Sequence, residues 1–290
     1  MSIHHFSKII SGVMTWGEWS KNLNTKEVAQ LINHTVHQGV TTIDHADIYG
    51  NYTTEALFGQ GFKASGLNRN AIQIITKCGI QHICPNRDNK VKHYNYGKDY
   101  IIWSAENSLK NLQTDYLDLL LLHRPSPLMN PAEIAEAVHK LLKDGKILHV
   151  GVSNFTPLQT DLLKKHIPIV ANQIECSITH TQPMFDGSLD HMTTNEIAPM
   201  SWSSLGSVFK KDTEQTQRII RLLSVFSKKY EATADQLLLA WLLKHPAKIR
   251  PVIGTATPER IALAAKSVDI DLELEDWFML LEAAEGHPVA

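Results

Sequence analysis

The segment Ile43–Gly50, IDHADIYG, places two carboxylates, a histidine and a tyrosine directly after an apolar run. A phenol has a free pKa of about 10 and is a poor acid near neutrality. It becomes a useful proton donor when a cation stands beside it and the accepting oxygen gains negative charge as the proton moves. Residues for that arrangement lie farther along the chain. Lys77 follows the run Ile72–Thr76, and His123 follows Leu117–Leu122. Asp44 is expected to hold Lys77 charged, Lys77 to lower the pKa of Tyr49, and His123 to donate a hydrogen bond to a substrate oxygen. Together the four would polarise a carbonyl and protonate its oxygen. They supply no electrons, so the reduction needs a hydride from a cofactor.

A second set of residues suits that cofactor. Ser153, Asn154 and Gln173 offer hydroxyl and amide groups matched to a carboxamide such as that of nicotinamide. Trp202 offers a flat face for a ring. Thr15 and Trp16 follow the first apolar run and belong to the same rim, where Trp16 and Trp19 are alternatively wall residues of a substrate cleft or a merely structural pair. Ser203, Leu205 and Gly206 present backbone donors to phosphate, and Gly206–Thr213 reads as a strap over a pyrophosphate. Thr255, after Gly254, has donors for another phosphate, and Arg260 has the fork to grip one bidentately. No acidic residue follows Gly254 where an adenosine ribose would lie, which favours a phosphorylated ribose.

These groups meet only if the chain closes into a ring. Eight short apolar runs alternate with amphipathic stretches: Lys8–Met14, Val40–Asp44, Ile72–Thr76, Leu117–Leu122, Ile147–Val152, Ile169–Asn172, Ile197–Trp202 and Arg250–Gly254. The runs lack strict alternation, as strands buried on both faces do. Between them lie helix starts such as Asn130-Pro131, Thr156-Pro157, Thr233 and Thr257-Pro258, and a stop at Gly145. Strand–helix repetition with short links predicts a parallel (β/α)8 TIM barrel, residues 1–290 forming one domain, with long loops near 78–98 and 203–213. The first of these loops is expected to wall the substrate pocket. In such a barrel the carboxyl ends of all strands share one rim, which would hold every candidate named above. A doubly wound open sheet competes, but Gly59-Gln60-Gly61 with Gly66 has the wrong spacing for a dinucleotide fingerprint and follows a helix candidate.

Bulk properties exclude several classes. The 28 basic and 30 acidic residues give a net charge of −2, with no basic surface for nucleic acid. No run approaches the length of a membrane span, and the polar opening residues have no apolar targeting core. Three widely separated cysteines do not form a disulfide framework, which fits a reducing, cytoplasmic location. The histidines show no metal-binding spacing. A monomer is the default expectation.

The motifs resemble those of the aldo-keto reductases: IDHADIYG (43–50), ITKCG (75–79), LLLLHRP (119–125), GVSNF (151–155), NQIE (172–175), SWSSLG (201–206) and PVIGTATPERI (251–261), in family order over nearly the whole chain. The branch looks like bacterial reductases related to potassium-channel β-subunits. The resemblance implies a (β/α)8 barrel that binds NADPH/NADP+ without a Rossmann domain and passes hydride to an aldehyde or ketone. It puts the catalytic four on Asp44, Tyr49, Lys77 and His123, with Tyr49 as general acid. It puts the nicotinamide amide on Ser153, Asn154 and Gln173, its ring on Trp202, and the 2′-phosphate on Thr255 and Arg260. Gly254 stands where many members carry lysine, and Ala264 where many carry an asparagine or glutamine that contacts adenine.

Taken singly, Lys77 is as readily a surface lysine and His123 a core histidine; their joint placement with Tyr49 argues otherwise. His45 and Asp47 read as loop organisers, with His45 also a candidate to face the pocket. Asp115 and Asp118 read as turn residues, Cys78 and Trp241 as packing. Two other readings use the same residues: a cofactor-binding regulatory subunit with little turnover, and a phosphosugar isomerase or aldolase with Lys77 as Schiff-base nucleophile.

Overall fold

In a computed structural model, which describes Ile3 and residues 5–290, the apolar runs form a closed parallel barrel. The opening residues 1, 2 and 4, part of the polar start noted above, lie outside the described residues. In chain order the barrel strands are Ile10–Gly12, Thr42–Asp44, Gln73–Cys78, Leu119–Leu122, Val150–Ser153, Ile169–Glu175, Ala198–Trp202 and Arg250–Ile253. Each pairs with its sequence neighbours, and the last closes on the first through Ile10 opposite Val252. All eight expected runs are present. The third and sixth extend beyond their apolar cores, so Lys77 and Gln173 sit inside strands rather than just after them.

Side chains alternate between two apolar layers, and that alternation decides where chemistry can occur. Leu120, Leu122, Val150, Val152, Ile43 and Ile74 pack outward against the helices. Ile10, Ile75, Leu119, Leu121, Ala171, Met200 and Val252 form a separate cluster in the lumen, with Ile3 and Phe6 packed against it. Two residues beyond a lumen side chain the strand again points inward. Ile75 leads to Lys77, Leu121 to His123, Ala171 to Gln173 and Met200 to Trp202. The apolar plug therefore forms the floor on which the polar residues stand.

The helices start where local chemistry provides a cap. Asn130 accepts from the Ala132 amide at 3.1 Å ahead of Pro131. Thr156 and Gln159 form a reciprocal box, as do Thr233 and Gln236. After the helix Pro131–Lys143, Gly145 takes the left-handed conformation at φ +69°. Gly59 lies within the helix Thr54–Ser65, where a side chain would strike the Asn111 carbonyl of the neighbouring helix. Its role is close helix packing, and it forms no phosphate loop. Trp241 stacks on Trp277 at 4.9 Å, and each indole donates to the other residue's carbonyl.

The long segment after the third strand contains a two-stranded antiparallel ribbon, Ile80–Gln81 with His93–Tyr94. Asp118 differs from its reading as a turn residue. It is buried and accepts from the Ile74 amide at 2.8 Å and from Arg69 at 2.5 Å, pinning the amino-terminal ends of the third and fourth strands.

Gly151 stands in the fifth strand where a β-carbon would lie 2.6 Å from the Ala171 carbonyl oxygen and 2.7 Å from a Leu121 methyl. Gly151→Ala is expected to destabilise the fold by about 1–3 kcal/mol through overpacking. Urea unfolding monitored by circular dichroism measures this, and an unchanged midpoint would contradict the packing described.

Candidate active site

Lys77 is the centre of the rim. Its ammonium is buried and donates to Asp44 Oδ2 at 2.7 Å, to the His45 carbonyl at 2.8 Å and to Tyr49 Oη at 3.2 Å. A lysine has three N–H donors, so all are engaged. Burial opposes the charge, but Asp44 and the Tyr49 oxygen outweigh it and hold the Lys77 pKa above its usual value. Asp44 uses its second oxygen to accept from Gln173 Nε2 at 2.9 Å.

Tyr49 accepts from Lys77, and among the described residues its own hydroxyl proton has no acceptor. Lys77 lowers the pKa of the phenol as expected, but burial outweighs it. Burial raises the phenol above its ordinary pKa, Lys77 pulls the other way, and Asp44 offsets part of that pull. Tyr49 thus keeps its proton throughout the neutral range. His123 lies edge-on to the Tyr49 ring at 6.4 Å. Burial, followed by Lys77, Arg124 and Lys92, holds its pKa well below the usual histidine value, so its imidazole is neutral.

The four candidate catalytic side chains are therefore brought together. So are the amide and ring groups. Asn154 donates to Ser153 Oγ at 2.8 Å, Ser153 donates to the Gln173 carbonyl at 2.9 Å, and the Trp202 indole donates to Asn154 Oδ1 at 2.9 Å. Trp202 is half-buried and keeps part of its ring at the mouth.

The eighth strand leads to Gly254 and Thr255. Thr257 does not cap the helix Pro258–Lys266 with its side chain; its amide donates instead to Thr255 Oγ1 at 3.1 Å. The first-turn amides of that helix have no capping side chain, and nearby Arg260 is exposed with no carboxylate in ion-pair reach among the described residues. In the loop after the adjacent seventh strand Ser203 and Gly206 both take positive φ, and Ser204 ties their loop to the Ser201 carbonyl at 2.8 Å. Leu205 is half-buried beside them. Donors, a flat ring and a guanidinium without an ion-pair partner among the described residues, on loops after neighbouring barrel strands, fit an extended nicotinamide dinucleotide phosphate.

Several sequence candidates fall elsewhere. The Trp16 indole is 1% exposed and packs in the core near Phe58, so its side chain offers no face to a cofactor. Trp19, three residues on, reaches the mouth instead, 6.0 Å from the Tyr49 ring. The Thr15 hydroxyl donates to the Gly254 carbonyl at 2.8 Å, clasping the first and last loops together. His45 does not face the pocket: alternation turns it outward onto Phe58, and burial with Lys77 lowers its pKa to about 3. Cys78 is packing, its thiol pushed well up by burial.

Sequence reasoning missed the backbone after Tyr49. Gly50, Asn51 and Tyr52 all have positive φ, a run that reverses the chain under the phenol. Gly50 and Asn51, the residue types that most readily take that conformation, were the signal. Tyr52 then accepts from the His82 amide at 3.0 Å and donates to the Ile80 carbonyl at 3.3 Å, joining the Tyr49 loop to the ribbon. Arg124, beside His123, lies over the Trp202 ring at 5.4 Å.

Residues 8–285 match the model of the aldo/keto reductase family. The chain is 41% identical to the oxidoreductase YcsN of Bacillus subtilis, covering 98% of this chain and 96% of that protein. It is 38% identical to the 6-dehydroglucose reductase of Agrobacterium fabrum, with the same coverage. Among solved structures, an aldo/keto reductase from Klebsiella pneumoniae in complex with NADP and acetate superposes with a TM-score of 0.78 at 25% identity, covering 96% of this chain and 92% of that one.

Behind Tyr49, Asp47 is buried, accepts from Ser104 at 3.1 Å and is pushed up to about 8 by burial and by Glu55. Between its ordinary 3.8 and about 8 the folded state holds a proton that the unfolded chain releases. Stability therefore falls as pH rises through that window. Asp47→Asn removes this contribution. Urea midpoints of wild type and variant should diverge from pH 5 to pH 8.5, the wild type losing more; parallel curves would show that Asp47 is not protonated in the fold.

Proposed function

The chain belongs to the aldo/keto reductase family, an NADPH-dependent oxidoreductase by that kinship, and we propose that it reduces the carbonyl of an aldehyde or ketone with Tyr49 as the acid. One observation carries this reading. Lys77 donates to Tyr49 Oη, so the phenolic proton is left to a substrate oxygen in the cavity.

In this mechanism the bound NADPH supplies the hydride. Ser153, Asn154 and Gln173 orient its carboxamide, Trp202 supports its ring, and Thr255 with Arg260 holds the distal phosphate. Neutral His123, through a ring N–H, and Tyr49 hydrogen-bond the carbonyl oxygen and polarise it. As negative charge builds on that oxygen, Tyr49 transfers its proton, and the nearby Lys77 ammonium stabilises the phenolate left behind. An alkoxide is a far stronger base than a phenolate, so a raised phenol pKa does not block the transfer. Asp44 keeps Lys77 charged and in place. The same pair counts against an aldolase, because a Schiff base needs a neutral lysine amine.

The substrate class we propose is a polyhydroxylated aldehyde, in line with the 6-dehydroglucose reductase of A. fabrum. The mouth supports this with Trp19, whose indole donates to Asn51 at 3.3 Å, and with His82 packed edge-on to Trp19 at 6.0 Å. Aromatic faces suit the C–H surface of a sugar, and amide, imidazole and Arg124 groups suit its hydroxyls.

Tyr49→Phe should lower turnover by about 10²–10⁴-fold while leaving NADPH affinity nearly unchanged, measured by loss of NADPH absorbance and by calorimetry. Retained turnover would remove Tyr49 as the acid. A panel of simple aldehydes, diketones and sugar aldehydes should show the highest kcat/KM on a sugar aldehyde. Negligible turnover on all of them with tight NADPH binding would favour a regulatory subunit.

A further inference from the structure

We infer that the indole N–H of Trp202 is a positioning group that fixes the orientation of the Asn154 amide and so sets which pattern of donor and acceptor the cofactor carboxamide meets. The inference rests on the reading that Asn154, Ser153 and Gln173 recognise that carboxamide. An asparagine side chain fits nearly the same space with oxygen and nitrogen exchanged, so its partners decide the orientation. Ser153 Oγ, at 2.8 Å, favours the amide N–H₂ while its one proton goes to the Gln173 carbonyl at 2.9 Å, but the hydroxyl can rotate and donate to a flipped Asn154 at the loss of that bond. The His123 carbonyl accepts only, but at 3.5 Å it exerts a weak bias. Trp202 Nε1, at 2.9 Å, donates only, and it requires the amide oxygen to face the indole.

The backbone leaves Asn154 dependent on that contact. Asn154 has φ +63° in the left-handed region, and its amide N–H donates to the Gln173 carbonyl at 2.9 Å. From Trp202 the bonds continue without a break through Asn154, Ser153, the Gln173 carbonyl, the Gln173 side chain and Asp44 to Lys77. The ring platform, the amide-recognition groups and the proton-transfer pair are thus mechanically one unit. A phenylalanine at 202 would keep a stacking face and lose the donor-only partner that most strongly opposes a flipped Asn154.

The test compares two cofactors that differ in the group Asn154 would sense. Calorimetry without substrate gives the Kd of NADPH and of reduced 3-acetylpyridine adenine dinucleotide phosphate, whose methyl ketone lacks the amide N–H₂. Wild type should prefer NADPH. Trp202→Phe should shrink that preference by about three- to tenfold, the scale of one hydrogen bond, with the melting temperature nearly unchanged. Asn154→Ala should shrink it similarly, and the double variant should shrink it no further than the larger single effect. Full preference in Trp202→Phe, with loss in Asn154→Ala, would overturn the inference while leaving the carboxamide site intact. Additive losses would also overturn it. If Asn154→Ala and Gln173→Ala both leave the preference unchanged, the carboxamide site itself is misassigned and the inference falls with it.

Discussion

A buried ion pair between Lys77 and Asp44 is the interaction on which the site depends. Both side chains are almost fully withdrawn from water, and at 2.7 Å each is the other's main compensation. Removing one partner would leave an uncompensated charge in a closed lumen, an effect of several kcal/mol in comparable buried pairs. The pair is therefore weak evidence for stability and better evidence for function. It presents a fixed cation to the Tyr49 oxygen and a fixed carboxylate oxygen to Gln173, joining the part of the rim that holds Tyr49 to the part that holds Gln173, Ser153 and Asn154.

Barrel geometry makes such a pair possible. Leu119, Leu121, Met200 and their neighbours fill the lumen below, so the polar residues two positions later along the strands have nowhere to lie but the carboxyl-terminal mouth. Water is excluded from beneath and the groups are held by rigid strands, which is where preorganised electrostatics act most strongly. Outward-facing neighbours show the converse. His45 and Thr76 belong to the same strands or their ends as Asp44 and Lys77, yet they contact the helix layer, Thr76 through a 2.6 Å bond to Glu55.

Part of the backbone strain lies at the same rim. Asn51, Tyr52, Asn154 and Ser203 are non-glycine residues in the left-handed region, and each lies in a loop leaving a barrel strand. Such conformations cost on the order of 1–3 kcal/mol each and persist where surrounding contacts over-determine them. Here the contacts are visible: Tyr52 held by the ribbon, Asn154 by Trp202 and Ser153, and the Ser203 loop by Ser204.

The sequence by itself determined the strand and helix order, the helix starts capped by Asn130 and Thr156, and which polar and aromatic residues stand at the carboxyl-terminal rim. These are encoded in local periodicity, in cap chemistry and in motifs each only a few residues long. It did not reveal that Trp16 turns into the core while Trp19 reaches the mouth, or that His45 faces Phe58. It also missed that Asp118 pins two strands and that burial, not Lys77, dominates the acidity of Tyr49. Those outcomes depend on closure of the barrel, which assigns each side chain to lumen or helix layer, removes water from some groups and not others, and brings together charges far apart in the chain. Desolvation and pairwise distance are properties of the assembled structure, and so only the tertiary fold could decide them.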